Sequence, residues 1–561
     1  MTSRSFVSRS FAALVGALAL VFLAGCTETN TEYVEPPQFN PPPDSVNGYM
    51  GYYDAATQQT TCGNCHVSYQ GQWIDTKHAQ AYDDLVNSGF SQAYCFGCHT
   101  VSQNGNTGAA SGEPGGYNVV ASTAYHDVQC ESCHGPGYTH VSSPSTNNHP
   151  LARAGLKDTA QTCGGCHSGA HAPFVEQWSL TGHADSAANA SQAVNTASGC
   201  PACHEGRTAL ARFNGEPSQY IEKDSVGQTT TLPPATCAVC HDPHGSPYQG
   251  QLRLPVDAAD LATNLCMNCH NRGTTPATNF SNSTATVTKR GAHASQGPIL
   301  LGAGAGYIPR NFVYDSTQAF TSHASVNNPR LCAGCHVNTF TVTDAATGAF
   351  VLQSVGHLFS PDPCLDANGV PIADNSCNHL PASNRNWTGC VAAGCHASAD
   401  VAASALVNDS TIVKNLANQL WNDLESAKNT GGEPYISTGD AGYLRNLLFG
   451  FNGQPANPTV GGVQAFNATD NVVSPAEGAL FNAMMFADNL YGHKDGSYGV
   501  HNPFYYQALL SASINEVRAV YGPLYGAPPS QGVQAMIDKA LSRPGVRYTP
   551  PTGQMKLSAA R

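Results

Sequence analysis

The sequence predicts a mostly irregular and α-helical fold: a loop-rich chain with short helices, followed by a helical C-terminal region. Three observations predict this class. A five-residue motif, Cys-x-x-Cys-His, recurs eight times between Cys62 and His336. Only 11% of the 561 residues are charged, whereas 55 Gly and 36 Pro favour turns over long regular elements. Beyond Ser398 the chain has no Cys, and its apolar residues recur at helical spacing.

The repeated motif is the attachment signature of a c-type haem. Two thiols separated by two residues bond to the porphyrin, and the His that follows becomes the proximal iron ligand. Zinc sites and redox dithiols do not require His at that place, so eight copies favour haem over either. A ninth copy, Cys390-Val-Ala-Ala-Gly-Cys395-His396, has two extra residues between its thiols, and we expect it to bind haem too. The prediction is a haem-packed multihaem cytochrome with about nine haems c.

We number these motifs 1 to 9 in chain order. The predicted covalent attachment residues are Cys62, Cys65, Cys95, Cys98, Cys130, Cys133, Cys163, Cys166, Cys200, Cys203, Cys237, Cys240, Cys266, Cys269, Cys332, Cys335, Cys390 and Cys395. The predicted proximal iron ligands are His66, His99, His134, His167, His204, His241, His270, His336 and His396.

The second axial ligand decides between electron transport and catalysis. An iron with His on both sides is coordinatively full and exchanges electrons, whereas an iron with one open side can bind a substrate. The chain has 22 His, and those outside the motifs suffice for a His on the distal side of each iron. The candidate distal ligands are His78, His183, His140 and His244, then His171, His293, His323, His357 and His501. The weakest candidates, expected at the surface or on haem propionates, are His126, His149, His379 and His493.

An internal repeat organises the first six motifs. The segment Trp73-x4-His78 lies as many residues before motif 2 as the segment Trp178-x4-His183 lies before motif 5. Fixed spacing of this kind indicates repeated units. We predict two three-haem modules, at about residues 62–145 and 163–250, within a seven-haem region of residues 46–275. Both tryptophans are expected to pack against a haem face.

The N-terminal residues predict export and a lipid anchor. Arg4 and Arg9 precede an apolar run at 11–23, which is typical of a signal peptide over residues 1–25 and too short to span a membrane comfortably. The run ends in Leu-Ala-Gly-Cys26, which resembles a bacterial lipobox and implies lipidation of Cys26. The alternative is an ordinary signal peptide with an unrelated Cys. Thr27, rather than Asp, favours an outer-membrane address. Residues 26–45 are Pro-rich and predict a semi-rigid tether.

Residues 276–400 are expected to hold two haems among loops, including a Gly-rich loop from Gly291 to Gly306. Cys364 and Cys377 are not followed by His, so we predict a disulfide between them, with a tenth haem as the alternative. Residues 401–561 are expected to be a helical, haem-free region that covers haems. Its predicted helices lie near 401–428, from a capping box at Ser474 through about Tyr491, near 504–520 and near 531–542.

The charge of the chain restricts its partners. The net charge of −13 becomes −15 when the two signal-peptide arginines are removed. Such a surface excludes nucleic acid as a partner. It favours small cationic cytochromes or positively charged mineral edges.

The motifs resemble those of a known family. The segments Cys130-Glu-Ser-Cys133-His134-Gly-Pro-Gly, Trp73-x4-His78-Ala and Trp178-x4-His183-Ala resemble multihaem c-type cytochromes of the outer-membrane, decahaem electron-conduit type. The resemblance covers most of residues 60–340 and a short stretch near 475–512, which includes Gly499-Val500-His501-Asn502-Pro503 and is also similar to pentahaem nitrite reductases. The motif count departs from ten, and motif 9 has the wider spacing.

The resemblance implies low-potential haems with two His ligands that relay electrons in respiration at the cell envelope. It also implies an outer-membrane lipoprotein on the periplasmic or cell-surface side, with other cytochromes and an outer-membrane porin as partners. No catalytic residue is assigned. Two alternatives stay open: a reductase of nitrite, hydroxylamine or a sulfur oxyanion with one open haem, and a self-assembling cytochrome filament. The Cys-x-x-Cys-Lys motif of pentahaem nitrite reductases is absent from the sequence.

Overall fold

The chain divides into two units, Met1–Pro43 and Asp44–Arg561. A computed structural model describes part of the second unit. The residues described are 46–102, 114–145, 148, 150, 162–185, 199–215, 232–272, 293–302, 304–319, 321–373, 376–392, 394–426, 475–485, 495–497, 499–521 and 528–552. The predicted signal peptide, the lipidation residue Cys26, the tether, His149 and His493 lie outside them.

Most helices of the haem-motif region are a single turn or two long. Their α-helical bounds are Val67–Trp73, Ala81–Asn87, Phe96–His99, Cys130–His134, Tyr138–Ser142, Phe174–Ser179, Pro201–His204, Gly206–Phe213, Cys237–Cys240, Gln296–Leu300 and Cys332–His336. The 3-10 turns are Cys62–Asn64, Lys77–Gln80, Thr123–Tyr125, Cys163–Gly165, Gln249–Gln251, Ser322–Ala324 and Ala382–Asn384. Loops join these elements, so the predicted loop-rich fold with short helices is confirmed.

Among the described residues, strands form two-stranded antiparallel sheets only. Tyr52–Asp54 pairs with Gln59–Thr60, Val313–Tyr314 with Val546–Arg547, and Phe340–Thr343 with Phe350–Ser354. The last hairpin contacts the helix Phe174–Ser179, because the Gln177 amide donates to the Ser354 hydroxyl at 3.0 Å. The same Gln177 side chain accepts the backbone N–H of His357 at 3.0 Å. The hairpin thereby positions His357, a predicted distal ligand.

The largest apolar core lies in the C-terminal helical region, whose helices are Ala399–Ser426, Pro475–Met484, Pro503–Tyr521 and Gln531–Leu541. Val413, Leu416 and Leu420 recur at helical spacing and are buried against the other helices. Helix Pro503–Tyr521 begins with Pro at its first position, and Asn502 Oδ1 accepts the Tyr505 N–H at 3.0 Å. The bounds of three helices lie close to the predicted ones, whereas the predicted end of the second, near Tyr491, lies outside the described residues.

The predicted loop from Gly291 to Gly306 is wrong over its middle, where the chain forms the helix Gln296–Leu300. Ile299 and Leu300 of this helix are buried against neighbouring apolar residues. A Cβ at Gly297 would lie 2.9 Å from Met267, so a glycine is required for the helix to approach motif 7 this closely. Tertiary packing therefore outweighs the turn-forming composition.

Outside the helical region, the described apolar clusters are small. Each holds three or four buried residues, such as Ala209, Leu210, Ala238 and Val239. Clusters of this size do not stabilise several hundred residues on their own. Within the described part of the chain, no helix combines the length and apolarity needed to span a bilayer. Cys364 and Cys377 form a disulfide with Cα atoms 5.9 Å apart.

Candidate haem sites

Each motif of regular spacing folds as one helical turn, which brings its thiols and imidazole to one side of the backbone. The backbone N–H of the motif His donates to the carbonyl of the first Cys. This bond is 3.0 Å long in motif 1 and 2.9 Å in motifs 4 and 6. Residues three and four positions apart share one face of a helix. The spacing of the motif therefore places two thiols and one imidazole on the same face.

Motif 9 closes in the same way despite its two extra residues. The His396 N–H donates to the Cys390 carbonyl at 3.0 Å, and the Cys395 N–H donates to the Ala392 carbonyl at 3.0 Å. Gly394 has a φ of +84°, a conformation that side chains other than glycine rarely adopt. His396 therefore donates to the first Cys of its motif, as in the motifs of regular spacing.

A single cavity of about 4510 Å³ is bordered by all nine motifs. Its lining also includes eight histidines that lie outside the motifs and face a motif histidine. The pairs, each given with the distance between ring centres, are His66–His140 (6.4 Å), His78–His167 (6.2 Å), His134–His244 (6.2 Å), His183–His270 (6.2 Å), His204–His293 (6.1 Å), His241–His357 (6.1 Å), His323–His396 (6.4 Å) and His336–His501 (6.1 Å).

These distances fit two imidazoles on opposite sides of one metal ion. A metal–imidazole bond is about 2.0–2.1 Å long and the ring centre lies about 1.1 Å behind the nitrogen, so two such rings have centres roughly 6.3 Å apart. Direct ring stacking would bring the centres closer, as between Tyr82 and His126 at 3.4 Å. The eight pairs match the spacing for a haem iron and its two axial ligands.

Burial favours the neutral state that coordination requires at several of the paired imidazoles, whereas Asp495 raises the pKa of His501. Burial lowers the pKa of His134 to about 4, and the neighbouring His244 and His66 lower it further. The ring of His183 is accessible from the cavity, yet the surrounding protein lowers its pKa to about 4. A neutral imidazole has a free lone pair on one nitrogen at neutral pH. Metal binding therefore needs no proton release at His134 or His183.

Comparisons with known proteins agree with the motifs and the paired imidazoles. A family model described as cytochrome c554 and c-prime matches residues 61–135, and a model of a doubled CXXCH motif matches residues 234–275. The chain is a multihaem c-type cytochrome. It binds haem c.

Similarity to a curated relative is limited to part of the cytochrome. The cytochrome is 26% identical over 152 residues to cytochrome c-554 of Nitrosomonas europaea. The match covers 20% of this chain and 61% of that protein. The cytochrome therefore spans less than two thirds of the length of this relative. No solved structure matches it.

Motif 2 differs from the other motifs, because no described histidine faces His99. The Nδ1 atom of His99 lies 3.0 Å from the Ala81 carbonyl. The nearby His126 stacks on Tyr82 and forms a β-bridge with Thr100, the residue after the motif. His126 is thus held among the residues that flank the motif. His171, a predicted distal ligand, is exposed, and no described motif histidine faces it.

Hydrogen bonds donated by Nδ1–H orient several of the paired rings, which leaves Nε2 free for a metal. In most of them Nδ1 lies near a backbone carbonyl, as in His336 with Phe359 O at 2.7 Å and His323 with Val500 O at 2.6 Å. His501 instead contacts the carboxylate of Asp495 at 2.7 Å. Such outer partners fix the tautomer and tune the ligand. Spacing in the sequence does not identify them.

The two Trp residues of the internal repeat act alike. The indole N–H of Trp73 donates to Val128 O, and that of Trp178 donates to Ala235 O, both at 2.9 Å. In each case the accepting carbonyl lies just before the third motif of the module. Each tryptophan therefore connects the segment before a repeated histidine to the residues just before the third motif of its module. The buried Glu131, inside motif 3, makes a similar connection by accepting backbone N–H groups at Met50, Gly51 and Gly137.

Contacts between thiols of different motifs define which motifs are neighbours. A thiol of one motif shifts the pKa of a thiol of the other between motifs 1 and 3, 2 and 4, 4 and 6, 5 and 7, and 7 and 8. Thiols also interact electrostatically between motifs 3 and 4, 6 and 7, and 8 and 9. The motifs thus form a line in the order 1, 3, 4, 6, 7, 8, 9. Motif 2 lies beside motif 4, and motif 5 lies beside motif 7.

The arrangement repeats along the line. The contact between motifs 1 and 3 recurs between 4 and 6 and between 7 and 8. The histidines that face motifs 4, 7 and 9 are His78, His183 and His323, and each is followed by Ala. Motifs 7 and 8 therefore resemble the first and third motifs of a third module. None of the nine motifs takes the place in it that motifs 2 and 5 take in the first two modules.

Proposed function

We propose that the cytochrome binds nine haems c, eight of them between two imidazoles, and conducts electrons along the line of motifs 1, 3, 4, 6, 7, 8 and 9. The observation that carries this proposal is the set of eight imidazole pairs, with ring centres 6.1–6.4 Å apart, around one continuous cavity. When bound, haem supplies a one-electron couple at each iron. An iron with two His ligands has no open position for a substrate, which favours electron transfer over catalysis.

The chain's own residues would set the spacing and the environment of that couple. The two thiols of each motif would hold one haem covalently, and the thiols of neighbouring motifs interact, so successive haems would be attached close to one another. The paired imidazoles would ligate the iron, and the protein around the cavity would lower the local dielectric. Motif 4 borders motifs 2, 3 and 6, and motif 7 borders motifs 5, 6 and 8, so these two are junctions.

The haem content and ligation can be measured on the purified, haem-loaded protein. Intact mass and a pyridine haemochrome assay should give nine haems per chain. Electron paramagnetic resonance of the oxidised protein should give low-spin signals from at least eight of them. A content of eight or fewer, or a mostly high-spin spectrum, would contradict the proposal.

We further propose a lipid anchor on Cys26 and an outer-membrane location, on the periplasmic or cell-surface side, with other cytochromes and an outer-membrane porin as partners. The lipobox-like sequence and the family resemblance support this. Cells grown with a labelled fatty acid should label the wild-type protein, and Cys26→Ala should abolish the label. Protease treatment of intact cells then distinguishes the two sides of the membrane. Label retained in the variant would contradict the anchor.

A second candidate function rests on motif 2. Because no described histidine faces His99, the haem there is a candidate for an open coordination position and for reduction of a small nitrogen or sulfur compound. One high-spin haem in nine that binds carbon monoxide after reduction would favour this function. A wholly low-spin spectrum that carbon monoxide leaves unchanged would exclude it.

A further inference from the structure

One histidine of the eight facing pairs has an ionisable, buried partner. His501 faces His336 of motif 8 at 6.1 Å, and its Nδ1 lies 2.7 Å from Asp495 Oδ1. The Asp495 side chain is 1% exposed, whereas that of His501 is 19% exposed. Among the described residues, no Lys or Arg forms an ion pair with Asp495. The carboxylate is therefore directed at the imidazole without a described cation that would neutralise it.

The position of Asp495 is fixed from several directions. Its second oxygen accepts hydrogen bonds from the backbone and side chain of Ser497. Its own carbonyl accepts from the Gln296 amide at 3.1 Å, and its N–H donates to Met485 O at 3.2 Å. The Gln296 carbonyl oxygen in turn lies 3.3 Å from His270 of motif 7. The contact with His501 is thus part of a packed segment rather than a chance encounter at the surface.

The other described Nδ1 contacts differ in charge or in exposure. His99, His140, His241, His323, His336 and His357 contact backbone carbonyls, and His270 contacts an amide. Other carboxylates also interact with facing histidines, but each has an arginine beside it. Asp362 interacts electrostatically with His336 and forms an ion pair with Arg385 at 3.6 Å. Asp409 interacts with His396 and with Arg543. Asp242 lies 3.5 Å from His244. That pair is 27% and 41% exposed, and Asp242 also forms an ion pair with Arg253 at 2.9 Å. Its charge is therefore largely neutralised and screened by solvent.

A carboxylate that accepts the N–H of a ligating imidazole increases the electron donation of that imidazole to the metal. A buried negative charge beside the site also favours the more positive, ferric state over the ferrous state, because the interior screens it weakly. Both effects disfavour uptake of one electron by the iron, and no bond is made or broken in that step. Their sum is largest where the carboxylate is close, buried and unneutralised.

We infer that Asp495, acting through His501, lowers the reduction potential of the haem at motif 8. The reference is the potential expected if both axial histidines contacted only uncharged groups. Asp495 is a positioning and tuning residue, since it does not contact the haem. This inference rests on the proposed function, in which motif 8 links motif 7 to motif 9. The haem at motif 8 then holds an electron less readily than it otherwise would, and it forms a step that controls passage between the two ends of the line.

The test uses the haem-loaded full chain and an Asp495→Asn variant, which keeps the shape but removes the charge. Potentiometric titration followed by optical and paramagnetic resonance spectra should show one haem with a higher potential. We expect at least a tenfold rise in its reduced-to-oxidised ratio at fixed potential, which for one electron corresponds to about 59 mV. The remaining haems should be unchanged, and the low-spin count should be the same. Asp242→Asn is the matched control, with a smaller shift expected.

Two further variants assign the effect. Asp495→Glu keeps the charge and should retain a potential closer to wild type than Asp495→Asn does; equal shifts in both would overturn the inference. In a chain with Cys332→Ala and Cys335→Ala, which cannot attach haem at motif 8, Asp495→Asn should shift no haem. A full set of low-spin haems with unchanged potentials in Asp495→Asn would also overturn it. Failure of the proposed function would differ, since the wild-type protein itself would then lack low-spin, reducible haems.

Discussion

The pairing of His183 with His270 makes a quantitative prediction for the removal of one imidazole. Their ring centres are 6.2 Å apart, which leaves room for one iron between them. In His183→Ala the iron at motif 7 loses its second nitrogen ligand, because alanine has no donor atom. One haem in nine should then become high-spin, so the high-spin fraction should rise by one ninth of the total haem.

The measurement is paramagnetic resonance of the oxidised protein, normalised to total haem by the pyridine haemochrome assay. Added imidazole should enter the space left by the side chain and restore the low-spin signal. His171→Ala is the matched control, because His171 is exposed and faces no described motif histidine, and it should leave the spectrum unchanged. If His183→Ala keeps all haems and its high-spin fraction does not rise, the assignment of this pair is wrong.

Three other changes test the packing and the path. Burial raises the pKa of Glu131 to about 7, although three backbone N–H groups oppose the rise, so stability should fall by up to about 3 kcal/mol as the pH rises from about 4.5 to 7. Glu131→Gln should remove that pH dependence in denaturant titrations. Asp423→Ala should cost about 3 kcal/mol in chemical unfolding, because it removes a carboxylate that is 1% exposed and accepts from the guanidinium of Arg518; no change would contradict the pairing. Replacing Cys163 and Cys166 by Ala should remove one haem and slow electron transfer between the two ends of the line in flash-reduction kinetics, whereas the same change at motif 2 should not.

Much of the haem chemistry can be predicted from local spacing. Cys-x-x-Cys-His places its donors on one face of a single helical turn, and this depends on five consecutive residues only. The distal candidates could be selected as histidines outside the motifs, and the structure brings all of the predicted ones except His171 opposite a motif histidine. His171 follows motif 4 closely in the chain, but it lies at the surface.

The partner of each histidine could not be predicted, because it depends on how the modules stack. His78 lies before motif 2 but faces motif 4, and His244 follows motif 6 but faces motif 3. A repeat in the sequence shows that two histidines are equivalent without showing which neighbour each one serves. Asp495 was missed for a related reason. It precedes His501 in an irregular segment, where neither helical nor strand spacing places two side chains together.

The helix Gln296–Leu300 shows the same limit for secondary structure. Its sequence holds Gly297 and Pro298, both of which disfavour a helix interior, and it lies among many glycines. Contact with motif 7 and burial of Ile299 stabilise the turn there. The four C-terminal helices could be predicted because each has its own apolar stripe or cap, and these depend on local sequence.

The direction in which the facing histidines lie along the chain has a consequence for biogenesis. Motifs 4, 7 and 9 face a histidine that is synthesised before them, whereas motifs 1, 3, 5, 6 and 8 face one that is synthesised after them. If haem were attached as the chain emerges, the first group would have both histidines at once. The second group would have only the motif histidine until more of the chain had emerged. His501 comes last of all, so motif 8 would be the last site to be completed.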